Sequence, residues 1–284
     1  MNKWILGARP RTLPAAIAPV LVATALAGDK YQPSRAALAL LVSLSLQVGV
    51  NYANDYSDGI RGTDADRVGP TRLTASGLAT PGAVKRAAYI SFLIGAIAGL
   101  MLATQTSWWL ILIGGVAILA AWGYTGGQNP YGYSGFGEIS VFIFFGLVAT
   151  IGTFYVQTES VTFQSALASI PIGALACAIL AVNNIRDREK DFLAGKRTLA
   201  VRLGDRYARY SFVFLIVSAH AAAIATIFPW GAITLLAAPL SLSVSRKVLK
   251  GAHGKELIPM LGATGKLQLL FAAIFSIALI FGKG

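Results

Sequence analysis

The chain has 284 residues, of which 55% are hydrophobic and only 13% are charged, and its mean hydropathy is +0.64. Soluble domains usually have about 25% charged residues, so this composition excludes an ordinary soluble globular protein. The formal charge of +12 raises the question of a polyanionic partner, which the positions of the basic residues answer.

Nine apolar segments are candidates for bilayer-spanning helices, each of which needs roughly 20 mostly apolar residues. They lie at residues 13–28, 36–57, 86–104, 107–125, 136–156, 163–185, 208–228, 230–248 and 261–281. Because these segments occupy most of the chain, we expect one integral membrane domain over residues 1–284, of the all-α class, with nine transmembrane helices in a bundle. The first segment also resembles a signal peptide, but the distribution of charge favours a span.

The basic residues are distributed unevenly between the two sides of the predicted bundle. If the N-terminus is cytoplasmic, Lys30, Arg35 and Lys283 are the only basic residues in outside segments. This strong positive-inside pattern explains most of the net charge by membrane topology. We therefore expect a multi-pass membrane protein with a cytoplasmic N-terminus and no nucleic-acid partner.

Two regions at the ends of predicted spans hold most of the twelve acidic residues. The first contains Asp55, Asp58, Asp64 and Asp66, and the second contains Asp187, Glu189, Asp191 and Asp205. Both regions are predicted on the cytoplasmic side, four spans apart, and each contains Asn-x-x-x-Asp. This spacing weakly suggests a duplicated four-helix unit.

Helical spacing places the polar side chains of each region on one helix face. One face carries Asn51, Asn54, Asp55 and Asp58, and the other carries Asn183, Asn184, Asp187 and Asp191. Like charges at the C-terminal end of a helix are destabilising, and a bound cation would reverse this effect. Oxygen ligands of this kind favour Mg²⁺, Mn²⁺ or Ca²⁺, and Mg²⁺ usually binds through one or two carboxylates plus substrate phosphates. The alternative is that the acids pair with neighbouring arginines, for example Asp187 with Arg186 or Arg188.

Basic residues follow each acidic region and could bind an anion. Arg61, Arg67 and Arg72 follow the first region, and Lys196, Arg197 and Arg202 follow the second. Arginine can bind phosphate or carboxylate through two N–H groups, whereas lysine acts as a point charge. Arg67 and Arg72 flank a Gly-Pro turn, which favours a fixed geometry for anion recognition. The alternative explanation for these basic residues is topology alone.

The connection after the fourth predicted span reads YTGGQNPYGYSGFGE and is rich in glycine and tyrosine. Gly126 and Gly127 allow close approach of the backbone. Tyr124 and the two tyrosines that follow it could form a wall for a flat aromatic substrate. The segment could equally be a tight connection between two helices.

Four stretches of the chain together resemble the UbiA superfamily of intramembrane prenyltransferases. They are RPRTLPAAIAPVL, NDYSDGIRGTDADRVGPTRL, YTGGQNPYGYSGFGE and NNIRDREKDFLAGKRTLAVRLG, in that order. The YTGG and RVGPTRL segments are similar to the branch that prenylates a naphthoate. The resemblance implies nine helices around a central cavity that opens near the cytoplasmic surface of the bacterial inner (plasma) membrane.

The resemblance also implies that two aspartate motifs bind Mg²⁺ and the diphosphate of a polyprenyl donor. The implied metal ligands are Asn54, Asp55, Asp58, Asp64, Asp187 and Asp191. The implied substrate-binding residues are Asn54, Arg67, Arg72, Tyr124, Asn183, Lys196 and Arg197. We expect four of these residues to act directly in catalysis: Asp58, Asp187, Lys196 and Arg72.

The implied reaction transfers a polyprenyl group from polyprenyl diphosphate to 1,4-dihydroxy-2-naphthoate, with loss of CO₂ and diphosphate, and gives demethylmenaquinol for menaquinone biosynthesis. Three alternatives stay open. The first is a related transferase that uses homogentisate, 4-hydroxybenzoate or a glyceryl phosphate lipid as acceptor. The second is a non-catalytic quinone- or isoprenoid-binding protein. The third is an anion transporter, which the acids at span ends disfavour because transporters usually place ionisable residues near the midplane. No protein partner is predicted.

Overall fold

The computed structural model describes residues 2–63, 69 and 71–282, and within these ranges the chain is built from helices joined by turns and short loops. In chain order the helices are α1 (Lys3–Ala8), α2 (Pro14–Ala27), α3 (Pro33–Ile60), α4 (Pro81–Gln105), α5 (Trp109–Gly123), α6 (Gly137–Thr158), α7 (Phe163–Leu193), α8 (Leu199–Thr226), α9 (Trp230–Leu249) and α10 (Leu257–Phe281). The all-α membrane class predicted from the sequence is therefore confirmed.

The number of spans is close to the predicted nine without matching it. Seven helices of the described chain are long and apolar enough to cross a bilayer, and an eighth span results if the bent pair Lys3–Thr12 and Pro14–Lys30 is counted as one. The predicted fourth span contains α5, which has only 15 residues. At 1.5 Å per residue this helix is about 22 Å long, shorter than a hydrocarbon core of about 30 Å.

The bend between α1 and α2 lies at Arg9, which has a left-handed backbone with φ of 53°. A short 3₁₀ turn over Pro10–Thr12 follows, and the chain bends by 53° between the two parts of the pair. Proline cannot continue the hydrogen-bond ladder of a helix but is well suited to the first turn of a new one, which Pro14 begins. The break brings the RPRT segment, residues 9–12, to the central cavity.

Helix α7 is the most buried of the seven candidate spans and lies at the centre of the bundle, between α6 and α8. It begins at a capping box in which Thr162 and Ser165 each accept a hydrogen bond from the other's backbone N–H at 3.1 Å. It continues to Leu193, beyond the predicted limit of residue 185, so the second aspartate motif is part of the helix itself.

Helix α6 contacts α7 closely through two glycines. A Cβ atom on Gly146 would lie 2.6 Å from Gly173 Cα, so no larger residue fits at this crossing without movement of the backbone. Gly146 belongs to a π-helical turn, Phe142–Val148, within α6. Small residues at such crossings are common in membrane bundles because they let two helix backbones approach each other.

Candidate active site

A cavity of about 1330 Å³ is lined by residues of all the helices from α1 to α7 and by Ile258 and Leu261 of α10. At one end it is lined by the aspartate motifs, which lie near the C-terminal ends of α3 and α7. The rest of the wall is mainly apolar and comes from α3, α4, α5 and α6. The cavity is therefore amphiphilic, with charged groups at one end and space for hydrocarbon along the other.

Asp58 is the centre of the charged end. Its carboxylate is buried and accepts a short hydrogen bond from the Tyr133 hydroxyl. Lys196 Nζ lies 3.5 Å from Asp58 Oδ1, and Arg72 Nη2 lies 4.0 Å from Asp58 Oδ2. Burial, and next the charge of Asp58, raise the pKa of the Tyr133 phenol, so at neutral pH it remains a hydrogen-bond donor to the carboxylate.

Lys196 connects the two aspartate motifs. Its ammonium group lies 3.7 Å from Asp191 Oδ1 as well as near Asp58, and it lies 4.5 Å from the centre of the Tyr133 ring. The side chain is almost completely buried. The two acidic regions therefore meet at the same end of the bundle, as the charge pattern predicts.

The local sequence explains how Lys196 reaches this position. Gly195 follows the end of α7 with φ of 77°, a left-handed conformation that is common just after a helix and that glycine adopts without strain. The backbone N–H of Lys196 then donates to the Asp191 carbonyl at 2.8 Å. This turn reverses the chain and directs the lysine side chain into the cavity.

Asp187 lies against a neighbouring arginine. Arg186 Nε donates to Asp187 Oδ1 at 2.8 Å, and Arg186 Nη2 donates to Asp187 Oδ2 at 2.6 Å. The same Nη2 also contacts Asn183 Oδ1 at 2.8 Å. Asp187 therefore pairs with Arg186, as the alternative interpretation of the sequence predicts. Both residues also line the cavity.

Asn54 also lines the cavity, and its amide oxygen accepts a hydrogen bond from Thr125 Oγ1 at 2.7 Å. Thr125 follows Tyr124 in the glycine-rich connection between α5 and α6. Arg61 holds the same connection, because its guanidinium donates short hydrogen bonds to the carbonyls of Thr125 and Gly127. The first aspartate motif and the glycine-rich segment therefore form one wall.

The tyrosines of this segment line the cavity, as one of the two interpretations of the sequence predicts. Tyr124 and Tyr131 meet edge to face, with ring centres 5.5 Å apart. The Tyr131 hydroxyl donates to the Ala120 carbonyl at 2.8 Å and lies 2.9 Å from Ser140 Oγ. An aromatic wall thus lies beside the charged end of the cavity.

Two of the predicted site residues lie elsewhere. Asp55 is fully buried away from the cavity, and its two carboxylate oxygens accept hydrogen bonds from the backbone N–H groups of Leu73 at 2.8 Å and Thr74 at 3.0 Å. Its oxygens are thereby occupied in holding the α3–α4 connection, so we remove it from the metal set. Arg197 is exposed and packs on Phe192, 5.4 Å from the ring centre, outside the cavity lining. Asp64 and Arg67 lie outside the described residues.

Three further residues of the site were not singled out from the sequence. Tyr133 and Thr125 belong to the glycine-rich segment, whose composition suggests a wall of tyrosines but not a partner for Asp58 or Asn54. Arg61 is one of the basic residues after the first motif, and its contacts with Thr125 and Gly127 are not evident from the sequence. Helical spacing does not extend across loops, so these contacts have no signature in the sequence.

The donor chemistry of the cavity is compatible with a hard cation. Asn54, Asp58, Asp187 and Asp191 all line it and offer oxygen ligands. No group of three or more acidic, His or Cys side chains converges among residues 2–63, 69 and 71–282, so these residues would not enclose an ion by themselves. Mg²⁺ is commonly held by one or two carboxylates together with substrate phosphates, and this arrangement fits that pattern.

The chain is similar to known proteins over nearly its full length. Residues 16–261 match the UbiA prenyltransferase family. The chain is 49% identical over 285 residues to a 1,4-dihydroxy-2-naphthoate octaprenyltransferase of Mycobacterium tuberculosis, with 99% of this chain and 98% of that protein covered. It is 37% identical over 294 residues to a protein of the same name from Escherichia coli, with 99% and 96% covered.

Solved structures of much lower identity have the same fold. A UbiA homolog from Aeropyrum pernix gives a TM-score of 0.70 at 15% identity, over 96% of this chain and 98% of that chain. A UbiA homolog from Archaeoglobus fulgidus, bound to GPP and Mg²⁺, gives 0.66 at 15% identity, over 99% and 100%. With the family model matched over most of the sequence, the chain belongs to the UbiA prenyltransferase family.

Proposed function

We propose that this protein transfers a polyprenyl group from a polyprenyl diphosphate to 1,4-dihydroxy-2-naphthoate, with loss of CO₂ and diphosphate, to give demethylmenaquinol for menaquinone biosynthesis. The observation that carries the proposal is the amphiphilic cavity, in which Asp58, Lys196 and Asp191 meet at one end of an otherwise apolar space. A polyprenyl diphosphate has the same polarity, with an anionic head and a hydrocarbon tail. The names of the M. tuberculosis and E. coli relatives supply the acceptor.

We propose Mg²⁺ as the cofactor, held by Asp58, Asp187 and Asp191 with Asn54, and with Asp64 added on sequence grounds. When bound, Mg²⁺ neutralises charge that develops on a departing diphosphate. Arg186 must share or release Asp187 for this carboxylate to become a ligand, because both of its oxygens accept from that guanidinium.

The basic side chains of the cavity hold the diphosphate. Lys196 and Arg72 both lie beside Asp58, where their positive charges offset the acids and would attract phosphate oxygens. Positive groups fixed in a water-poor site stabilise a departing anion more strongly than they would in water, because they need no reorganisation. We therefore assign Lys196 and Arg72 to diphosphate binding and to stabilisation of the leaving group.

The apolar part of the cavity accommodates the tail and protects the reacting carbon. Hydrocarbon side chains of α4, α5 and α6 line it. An allylic cation that met water here would be hydrolysed, so exclusion of water is a requirement of the reaction. Tyr124 and Tyr131 line the same cavity and provide an aromatic surface for the acceptor ring.

The protein is a multi-pass membrane protein, and we propose that its N-terminus and its active site face the cytoplasm of a bacterium. The support is the positive-inside pattern, because the basic residues Lys196 and Arg72 at the charged end lie in segments assigned to that side. A water-soluble acceptor would then reach the charged end of the cavity from the cytoplasm.

The test is an acceptor screen with the purified full chain in lipid nanodiscs. Polyprenyl diphosphate and Mg²⁺ are supplied with 1,4-dihydroxy-2-naphthoate, 4-hydroxybenzoate or homogentisate in separate reactions. We expect a prenylated, decarboxylated product from the naphthoate alone, lost on addition of EDTA and restored by excess Mg²⁺. Product from another acceptor instead would replace the acceptor assignment, and absence of product from all three would refute the proposal.

A further inference from the structure

A buried acid next to the cavity has no role in the proposed chemistry. Glu138 lies in the first turn of α6, and its Oε1 accepts a hydrogen bond from Asn184 Nδ2 of α7 at 3.0 Å. Its other oxygen, Oε2, is buried and accepts no hydrogen bond from any other described residue, and Glu138 forms no ion pair with one. A buried carboxylate with an unpaired oxygen lowers stability, so packing alone gives no reason for an acid at this position.

The hydrogen bond determines which way the Asn184 amide faces. A carboxylate accepts hydrogen bonds and cannot donate them, so only the NH₂ group of the amide can face Glu138. Asn184 itself lines the cavity. Its Oδ1 accepts no hydrogen bond from the part of the chain that the structure describes. The atom is also not enclosed by protein, so it is accessible. The amide oxygen is therefore the atom left to face the cavity.

This oxygen lies close to the aromatic wall and to the second aspartate motif. Asn184 precedes Asp187 by three residues on α7, so the two side chains share a face of that helix. The Tyr124 hydroxyl lies beside the start of α6, because a Cβ atom on Gly137, the neighbour of Glu138, would lie 2.9 Å from it. Tyr124 lines the same cavity as Asp58 and Asp191.

An oxygen that accepts hydrogen bonds at this position favours a ligand group that donates one. Diphosphate and carboxylate groups are anionic and gain nothing from an amide oxygen, whereas a ring hydroxyl donates to it. An amide oxygen can also bind Mg²⁺, and the Mg²⁺ requirement of the variants below distinguishes that role from binding of the hydroxyl. We propose that Asn184 positions the aromatic acceptor by accepting a hydrogen bond from one of its ring hydroxyls, and that Glu138 is a positioning residue that holds the Asn184 amide in the required orientation. This inference rests on the proposed function, because it requires a hydroxylated aromatic acceptor in the cavity.

The experiment measures acceptor and donor kinetics separately in the full chain in nanodiscs. Asn184→Leu removes the amide, Glu138→Leu removes its anchor, and Glu138→Gln retains a carbonyl oxygen that can accept from Asn184. We expect both leucine variants to raise the KM for 1,4-dihydroxy-2-naphthoate about tenfold, the equivalent of one lost hydrogen bond, with the KM for polyprenyl diphosphate and the Mg²⁺ requirement unchanged within about twofold. Glu138→Gln should remain close to the wild type.

Two further measurements separate positioning from a structural role. Inhibition by 1-hydroxy-2-naphthoate and by 4-hydroxy-2-naphthoate, each of which lacks one hydroxyl, should differ in the wild type and become equal in Asn184→Leu. The double variant Glu138→Leu/Asn184→Leu should be no worse than either single variant, because the two residues act as a unit. If the leucine variants do not fold, the double variant Glu138→Gln/Asn184→Asp replaces them. In it the new amide at position 138 donates to one carboxylate oxygen at position 184, and the other oxygen faces the cavity. This variant should retain the wild-type KM for the naphthoate.

The proposal would be overturned if the leucine variants kept the wild-type KM for the naphthoate. If they misfold, a raised KM for the naphthoate in the double variant Glu138→Gln/Asn184→Asp would overturn it. Equal losses for donor, Mg²⁺ and acceptor would also overturn it, because a general distortion of the site predicts that result. Failure of the proposed function is distinguishable, since it appears as a wild-type protein that does not turn over the naphthoate.

Discussion

Lys196 Nζ lies 3.5 Å from Asp58 Oδ1, although the two residues are 138 positions apart in the chain. One comes from the end of α3 and the other from the turn after α7, so their contact joins these two helix ends at the charged end of the cavity. Both side chains are almost completely buried, and water screens such a pair little. A ligand that binds there replaces the contact between Lys196 and Asp58 with contacts of its own to these two side chains.

The first prediction concerns the positive charge of Lys196 and its effect on use of the polyprenyl diphosphate. We expect Lys196→Met, which keeps the length of the side chain, to lower kcat/KM for the polyprenyl diphosphate about 10- to 100-fold, since a hydrogen bond to a charged group contributes about 1.5–3 kcal/mol. Steady-state kinetics at saturating acceptor measure the effect. Lys255→Met is the matched control, because Lys255 is exposed and outside the cavity lining. Equal activity of the two variants would contradict the role of Lys196.

The acids of the two motifs are tested by Asp58→Asn and Asp187→Asn. Each change keeps the shape of the side chain and removes a charge, so we expect loss of at least about 99% of turnover, which is about 2.7 kcal/mol in the barrier. Both variants should still insert into the membrane and elute as the wild type does in gel filtration. The control is Asp29→Asn, an exposed aspartate in the turn after α2. Full activity in either motif variant would remove that residue from the metal site.

Asp55 should behave as a structural residue. We expect Asp55→Ala to lower the free energy of unfolding by about 2–4 kcal/mol, because it leaves the buried backbone N–H group of Leu73 and the partly buried one of Thr74 without their acceptor. Thermal unfolding in detergent, followed by intrinsic tryptophan fluorescence, measures the loss. The protein that remains folded should keep the Mg²⁺ dependence of the wild type. A variant of normal stability that needs much more Mg²⁺ would restore Asp55 to the metal set.

Gly195→Ala tests the turn that carries Lys196. A Cβ atom at Gly195 meets no other atom within 4 Å, so the only penalty is the left-handed backbone, about 1–2 kcal/mol. We expect lower thermal stability together with a raised KM for the donor, because the turn and the lysine move together. Gly82→Ala is the control: its Cβ is equally free of contacts, and Gly82 lies in the first turn of α4 without a positive φ. Similar behaviour of the two variants would contradict this account.

The apolar part of the cavity should limit the length of the prenyl chain. Gly114 lines the cavity from α5, and a Cβ there meets nothing within 4 Å. We expect Gly114→Leu to discriminate against long donors, with kcat/KM for a donor of eight isoprene units falling by about tenfold relative to one of two units. Competition between the two donors, with products separated by chromatography, measures the ratio. An unchanged ratio would show that the tail does not pass Gly114.

The sequence predicted the helices well because hydrophobic segments and helical spacing are local properties, and the order of the helices places the two acidic regions at one end of the bundle. The role of Asp55 could not be predicted: it shares a helix face with Asp58, yet its partners are two backbone groups of the next connection. The contact between Asp58 and Tyr133 depends on how a glycine-rich loop folds across α3, which no periodicity describes. The shortness of α5 was missed because the apolar run continues through residues that do not form a helix.

Helix α5 has no buried residue, although it lines the cavity. The boundary between the reaction chamber and the surrounding lipid is therefore only one helix thick on this side. The proposed donor and product are both lipids, and neither would need to pass through water if this wall parts. The hydrocarbon around the protein then acts as the reservoir of one substrate and the sink for the product. Turnover should consequently depend on the fluidity and thickness of the bilayer as well as on the chemistry of the cavity.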